Sequence, residues 1–207
     1  MLKLDHVAYD YPEVSISVDF ELAAGGALAL MGPSGCGKTT TLDLIAGFLS
    51  PHRGDIRFGS QSLLTLRPDA RPLSYLFQQH NLFPHLSVWQ NIALGIHPGL
   101  KLSSDEKKQI DHSLETVGLS GFGDRRPDQL SGGQQQRVGL ARGLARSLLC
   151  DKSILLLDEP FSALDQARRS QIIELINQLR AKHQLTLIIS THQMGDAQAL
   201  NAEVYLF

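Results

Sequence analysis

The sequence predicts an α/β fold with a mainly parallel sheet, an antiparallel β layer and an inserted α-helical subdomain. Three observations lead there. Short apolar runs bounded by turn residues alternate with longer segments of helical period. Two of the runs, Ile154-Leu155-Leu156-Leu157 and Leu187-Ile188-Ile189, are continuous rather than alternating, the pattern of strands buried on both faces. A glycine-rich Gly-x-x-x-x-Gly-Lys-Thr segment lies directly between a third apolar run and a helical pattern.

Taken in order, Ser15-Ile16-Ser17-Val18-Asp19-Phe20 alternates and is followed by a Gly25-Gly26 turn, so the first 30 residues read as antiparallel strands beside the main sheet. Ala27–Met31 is the first parallel strand, and Thr40–Phe48 the helix after the glycine loop. Leu73–Phe77 is the next strand. From Gln79 to Arg146 the periodicity is helical, with breaks at Pro84, Pro98, Gly118, Gly121 and Pro127, which predicts an inserted helical subdomain. Ile154–Leu157 and Leu185–Ser190 are central strands. Between them Ile172, Leu175, Ile176 and Leu179 form one apolar stripe of a packing helix. Val204–Phe207 reads as a last strand. The chain is expected to be a single domain over 1–207, with 1–78 and 147–207 as the core and 79–146 as the insertion.

Composition narrows the functional classes. The 207 residues carry 19 Lys and Arg against 21 Asp and Glu, so no broad basic face is expected for nucleic acid. With 43% hydrophobic residues the chain can bury a sizeable core. No uncharged apolar run has the length of a membrane-spanning helix. Asp5, Asp10 and Glu13 stand where a secretory signal needs an apolar core, so a cytoplasmic location is expected. Cys36 and Cys150 have no metal-ligand spacing and read as reduced thiols.

The segment Gly32-Pro33-Ser34-Gly35-Cys36-Gly37-Lys38-Thr39 fits a phosphate-binding loop in its required strand-to-helix context. Its backbone N–H groups would converge on phosphates at a helix N-terminus, where the dipole favours anions. Lys38 would reach the outer phosphates and the Thr39 hydroxyl a Mg²⁺ ion. Asp158-Glu159-Pro160 ends a central strand at the edge where such sheets bind ligands, so Asp158 is the candidate for the metal and Glu159 for the general base. His192 follows another strand and can address a γ-phosphate or the attacking water. Leu130-Ser131-Gly132-Gly133-Gln134 opens a helical run, Gln135–Leu149, as a second anion site or simply a serine N-cap with a glycine turn. Capping chemistry alone favours the N-cap.

Together GPSGCGKTT (Gly32–Thr40), Gln78 after Leu76-Phe77, LSGGQ (Leu130–Gln134), ILLLDEP (Ile154–Pro160), SALD (Ser162–Asp165) and STH (Ser190–His192) resemble the ATP-binding subunits of ABC transporters, in the family's order and over nearly the whole chain. The resemblance implies a P-loop NTPase core that hydrolyses ATP with Mg²⁺ to drive transport. It also favours the second anion site: two copies pair head to tail, and Ser131, Gly132, Gly133 and Gln134 act on the ATP held by the other copy. By position, Gly32 through Thr40 would hold the nucleotide, Tyr11 would stack on adenine with Tyr9 as its rival, Gln78 would contact Mg²⁺ and sense the membrane partner, and Asp165 would bridge the pair. Thr39-Thr40 stands where Ser-Thr is usual, and either hydroxyl serves the metal.

The resemblance further implies an importer: an integral permease in the membrane, an extracytoplasmic substrate-binding protein, and this subunit on the cytoplasmic face of the inner membrane as a peripheral protein. The stretch Leu76–Ile92 looks like the permease-facing segment of that branch, and Ala93–Leu102 is similar to the ATPases of thiamine importers. ATPases for ferric iron, sulfate, molybdate or polyamine uptake are the closer rivals. A non-transport ABC ATPase and a small-molecule kinase are the more distant ones. Family members continue past this strand through a hairpin and a final helix, so an exposed edge at 204–207 and no added regulatory domain are expected.

Overall fold

The computed structural model describes residues 1–12, 14–77, 82–150, 152–162 and 164–207. In chain order these contain β1 (Leu2–Asp10), β2 (Ser15–Leu22), β3 (Ala27–Met31), α1 (Lys38–Ala46), β4 (Arg53–Phe58), β5 (Gln61–Ser62), β6 (Leu73–Leu76), α2 (Val88–Ile96), α3 (Ser104–Thr116), α4 (Gly132–Leu149), β7 (Ile154–Asp158), α5 (Gln166–His183), β8 (Thr186–Ser190), α6 (Met194–Ala199) and β9 (Glu203–Leu206). The strands form two sheets. One is antiparallel in the order β2-β1-β4-β5, and the other runs β6-β7-β8-β3-β9 with every pairing parallel.

Continuous apolar runs become strands covered on both sides because alternate residues enter different cores. In β3, β7 and β8 the residues Leu28, Leu30, Ile154, Leu156 and Ile188 pack with α1 and the antiparallel sheet. Their neighbours Ala29, Leu155, Leu157, Leu187 and Ile189 pack instead with Ile172, Ile173 and Ile176 of α5. The antiparallel sheet shows the other pattern: in β2, Ile16, Val18 and Leu22 are buried while Ser15, Ser17, Asp19 and Glu21 face out.

A third cluster belongs to the helices between β6 and β7. Val88 and Ile92 of α2, Ile110 and Leu114 of α3, and Val138, Ala141 and Ala145 of α4 meet there. Ser87 opens α2 and Ser103 opens α3 with reciprocal bonds to Gln90 and Glu106 respectively, so each helix start is satisfied locally. Helix α4 serves two clusters, because Leu140 and Leu144 on its other face join the core beneath α5. It also runs without a break through residues 146 and 147, so the expected subdomain boundary there falls inside a helix.

Helix α1 starts two residues earlier than the apolar pattern suggests and stops at Ala46 rather than Phe48. Gly47, at φ 87°, ends it in the left-handed conformation and returns its N–H to Asp43 and Leu44. The last carbonyls are capped from a distance: the buried Arg71 donates from Nη1 to Leu44 O at 2.9 Å and Ile45 O at 2.7 Å. A Cβ at position 47 would lie 2.5 Å from Arg71 Cζ, so the glycine is required by this cap as well as by its φ. Replacing Arg71 with methionine takes the donor from the buried Ile45 carbonyl and leaves the Leu44 carbonyl only the longer bond from Gly47 N. Arg71→Met is therefore expected to lower stability by about 2–4 kcal/mol, read as a lower urea midpoint at unchanged m; an unaltered midpoint would show that the cap carries no stability.

Candidate functional site

The glycine loop at 32–37 joins the buried strand β3 to α1, which aims the helix N-terminus at the carboxyl edge of the parallel sheet. Gly37 is the N-cap, at φ 114°, and a Cβ there would lie 2.9 Å from the Ile16 side chain. The loop thus fits against the antiparallel sheet only without a side chain at this point. Lys38 is buried, and its Nζ donates to Gly32 O at 2.8 Å and Pro33 O at 2.9 Å, with Cys36 Sγ at 3.8 Å. The loop therefore satisfies its own lysine.

The two carboxylates at the end of β7 have different surroundings. Asp158 is 2% exposed and accepts on both oxygens, from Thr39 Oγ1 at 2.9 Å and from Ser190 Oγ at 2.5 Å. Glu159, one residue on, takes the left-handed conformation at φ 46°. For a glutamate this costs about 1–3 kcal/mol and persists only where the surroundings hold it. Its N–H donates to Ser190 Oγ at 2.9 Å, and its Oε1 lies 2.8 Å from His192 Nε2. The turn swings Glu159 away from the sheet core to line a cavity of about 170 Å³ with Ser34, Gly35, Gly37, Lys38, Thr39 and Thr40.

Lys38, Thr39, Asp158, Glu159 and His192 are thus brought to one place by the ends of three adjacent strands, β3, β7 and β8. Tyr11 stands at the rim. It is 44% exposed, with its hydroxyl 3.3 Å from Thr40 Oγ1 and its ring edge-on to Tyr9. Tyr9 instead packs on the apolar core and stacks on His52 at 5.0 Å. Of the two tyrosines, Tyr11 is the one with a ring open to a ligand. Gln78 lies outside the described residues.

Residues 131–134 do not line this cavity. Ser131 caps α4, accepting from Gln134 N at 3.4 Å, while Gln134 Oε1 accepts from Ser131 N at 2.8 Å. Both side chains are engaged with each other, whereas Gly132 and Gly133 occupy the first turn, whose amides have no intrahelical acceptor. Asp165 caps α5 through Arg168 N at 2.9 Å. Both cysteines are free thiols.

Three contributors have roles that the motifs do not give. Ser190 ties Asp158 to the Glu159 backbone; the signal available was a hydroxyl residue ending the strand next to β7, but its use depends on the register that sets Asp158 opposite Ser190. The buried Asp196 takes Arg169 Nε at 2.6 Å and Thr191 Oγ1 at 2.6 Å, fastening α5 to the residue before His192. Gln136, buried on α4, reaches the Glu159 carbonyl at 3.0 Å. No sequence pattern announces the last two.

A loop for phosphates, a hydroxyl paired with a buried carboxylate, a second carboxylate paired with a histidine, and a capped helix apart from them all make a coherent set. The sequence profile described as ABC transporter matches residues 16–162. The thiamine import ATP-binding protein ThiQ of Vibrio cholerae is 48% identical over 204 residues, covering 99% of this chain and 84% of its own. Its counterpart in Yersinia pestis is 48% identical over 197 residues, 95% and 82% of the two chains. Among solved structures, a dimeric post-hydrolysis state of the ATP-binding cassette MJ0796 bound to ADP and Pi superposes with a TM-score of 0.86 at 30% identity, over 100% of this chain and 94% of that one. A second dimeric structure of that cassette gives 0.87. With the family profile covering most of the chain and relatives 48% identical over nearly all of it, the chain belongs to the ABC transporter family.

Proposed function

We propose that the chain is the ATP-hydrolysing subunit of an importer and powers thiamine uptake through a membrane permease. The observation that carries the enzymatic part is the contact chain Thr39–Asp158–Ser190–Glu159–His192 beside the Lys38 loop. The substrate is supported by 46–48% identity to thiamine import ATP-binding proteins over nearly the full chain. Proteins this similar over 97–99% of this chain and 84% of the relatives are expected to serve the same cargo.

The chemistry follows from the geometry. The loop amides and Lys38 bind the triphosphate, the lysine exchanging the Gly32 and Pro33 carbonyls for phosphate oxygens. Thr39 Oγ1 and Asp158 Oδ2 are hard oxygen donors 2.9 Å apart, a donor set suited to Mg²⁺. When bound, that ion neutralises charge on the β- and γ-phosphates. Glu159 accepts a proton from the attacking water as its oxygen bonds to the γ-phosphorus and ADP departs. His192 holds the Glu159 carboxylate in position through Nε2 and can donate to the γ-phosphate. Tyr11 stacks on adenine, and Gln78 senses the permease from the membrane side.

Ser131, Gly132, Gly133 and Gln134 contact ATP held by a second copy, with Asp165 at the same interface. This arrangement is supported by the Gly132 and Gly133 amides of α4, which have no intrahelical acceptor, and by the dimers in which a similar cassette was solved. The permease docks at an apolar groove of about 420 Å³ between α1, β6 and α4, where Phe48 and Phe83 are exposed and Tyr75 and Phe77 form the floor. Among the described residues no helix is long and apolar enough to cross a membrane. In this reading the chain attaches through the groove and lies peripherally on the cytoplasmic face of the inner membrane. An extracytoplasmic binding protein delivers the cargo. Core residues 1–78 and 147–207 and the insertion 79–146 divide the work, the first gripping ATP and the second presenting the 131–134 cap.

Three outcomes test this reading. Glu159→Gln is expected to keep ATP binding, lower turnover by about 10²–10⁴-fold and accumulate an ATP-bound dimer on size-exclusion chromatography; normal turnover removes Glu159 as the base. Ser131→Arg is expected to leave ATP binding by the monomer intact and to abolish dimerisation; an ATP-bound dimer of normal yield sinks the in-trans role. In cells lacking the subunit, uptake of labelled thiamine should return with the wild-type chain and not with Glu159→Gln. Intact thiamine uptake without the subunit would redirect the cargo assignment to another small solute or ion.

A further inference from the structure

Glu159 is held at both ends of its backbone. Its N–H is fixed by the β8 terminus, through Ser190 Oγ at 2.9 Å and Ser190 O at 3.2 Å. Its carbonyl faces the opposite way, towards the helical part of the molecule. There Gln136 Nε2 donates to Glu159 O at 3.0 Å and, with its other hydrogen, to Ser162 Oγ at 3.1 Å; Ser162 Oγ in turn donates to Glu159 O at 3.1 Å. Gln136 is 4% exposed and therefore cannot exchange these bonds for water without a structural change.

Two features make this more than packing. The residue being held is, among the described residues of the site, the one non-glycine with a left-handed backbone, a conformation that lasts only under external constraint. The residue that holds it sits in the second turn of α4, the helix whose first turn is capped by Ser131 and Gln134. An α-helix is stiff over so short a distance, so a displacement of the Ser131 cap would be carried to the Gln136 amide and from there to Glu159.

We propose that Gln136 is a positioning residue that ties the Glu159 carboxylate of one nucleotide site to the Ser131 cap that serves the other. The proposal rests on the reading of Glu159 as general base and of residues 131–134 as acting in trans. Each chain contributes its glutamate to the ATP on its own loop and its cap to the ATP on its partner. Gln136 is then the link inside one chain between the two sites: closure of the cap on one nucleotide sets the glutamate geometry at the other. Ser162 completes the ring of hydrogen bonds, which fixes the direction in which the carbonyl points.

The test is steady-state and single-turnover hydrolysis of ATP with Mg²⁺ by the purified full chain. Gln136→Glu keeps the shape but sets a carboxylate oxygen where an N–H donor faced a carbonyl. It is expected to lower kcat by about 10- to 100-fold, the cost of misplacing a reacting group by a fraction of an ångström to an ångström, with KM for ATP and calorimetric ATP affinity within twofold. The distinguishing readout is the combination with Glu159→Gln. Acting through Glu159, Gln136→Glu should cost little further once the carboxylate is gone; the same fold-loss in both backgrounds overturns the proposal, as does an unchanged kcat in the single variant. Should Gln136→Glu fail to fold, Ser162→Ala removes the second donor to the same carbonyl, and a lowered kcat that is again non-additive with Glu159→Gln is expected; full activity or additivity overturns it. Failure of the underlying reading is separately visible, because Glu159→Gln alone would then turn over normally.

Discussion

Everything at the nucleotide end of the molecule hangs on one buried carboxylate. Asp158 closes β7 inside the protein, where an ionised oxygen without partners would be strongly unfavourable. It is satisfied by a hydroxyl from each neighbouring element, Thr39 at the start of α1 and Ser190 at the end of β8. The need to complete those bonds fixes how far the glycine loop stands from the sheet edge and how β8 ends. Ser190 then has a lone pair for the Glu159 amide, and the turn that presents Glu159 to His192 follows from that. A polar requirement of the core has set the geometry of the surface site.

Helix α4 makes the same kind of connection at larger scale. One of its faces belongs to the helical cluster with α2 and α3, and the other packs beneath α5 against the parallel sheet. Ser74 of β6 donates to the Gly143 carbonyl and Arg146 to Gly95, so the helix is pinned to strand and insertion alike. The cap at its N-terminus is thereby carried by a rod that both parts of the molecule share. This makes the arrangement suited to passing a displacement on rather than absorbing it.

What the sequence revealed and what it withheld divide along a physical line. The double-sided strands were legible in Ile154–Leu157 and Leu187–Ile189 because burial on both faces leaves no polar alternation, and α5 was legible in the spacing of Ile172 and Ile176. The glycine loop was legible because the strand before it and the helix after it are both required by phosphate geometry. The end of α1 was not, since an arginine more than twenty positions away caps it and Gly47 turns the chain two residues before the apolar pattern fades. The left-handed Glu159 and the reach of Gln136 were invisible for a related reason. Each depends on register between elements distant in sequence, and no local pattern encodes it.

The bonds from Lys38 to the Gly32 and Pro33 carbonyls carry a last consequence. This ammonium is solvated by its own backbone, so under the proposed phosphate-binding role the carbonyls would be tethered competitors for the phosphate at high effective concentration. On that reading the affinity for nucleotide would be an exchange energy, the difference between two sets of bonds to the same ammonium, rather than the full strength of either. Occupancy becomes sensitive to changes that only reshape the empty loop. On the same reading the loop would release phosphates without stranding a buried charge, since the Gly32 and Pro33 carbonyls already satisfy Lys38.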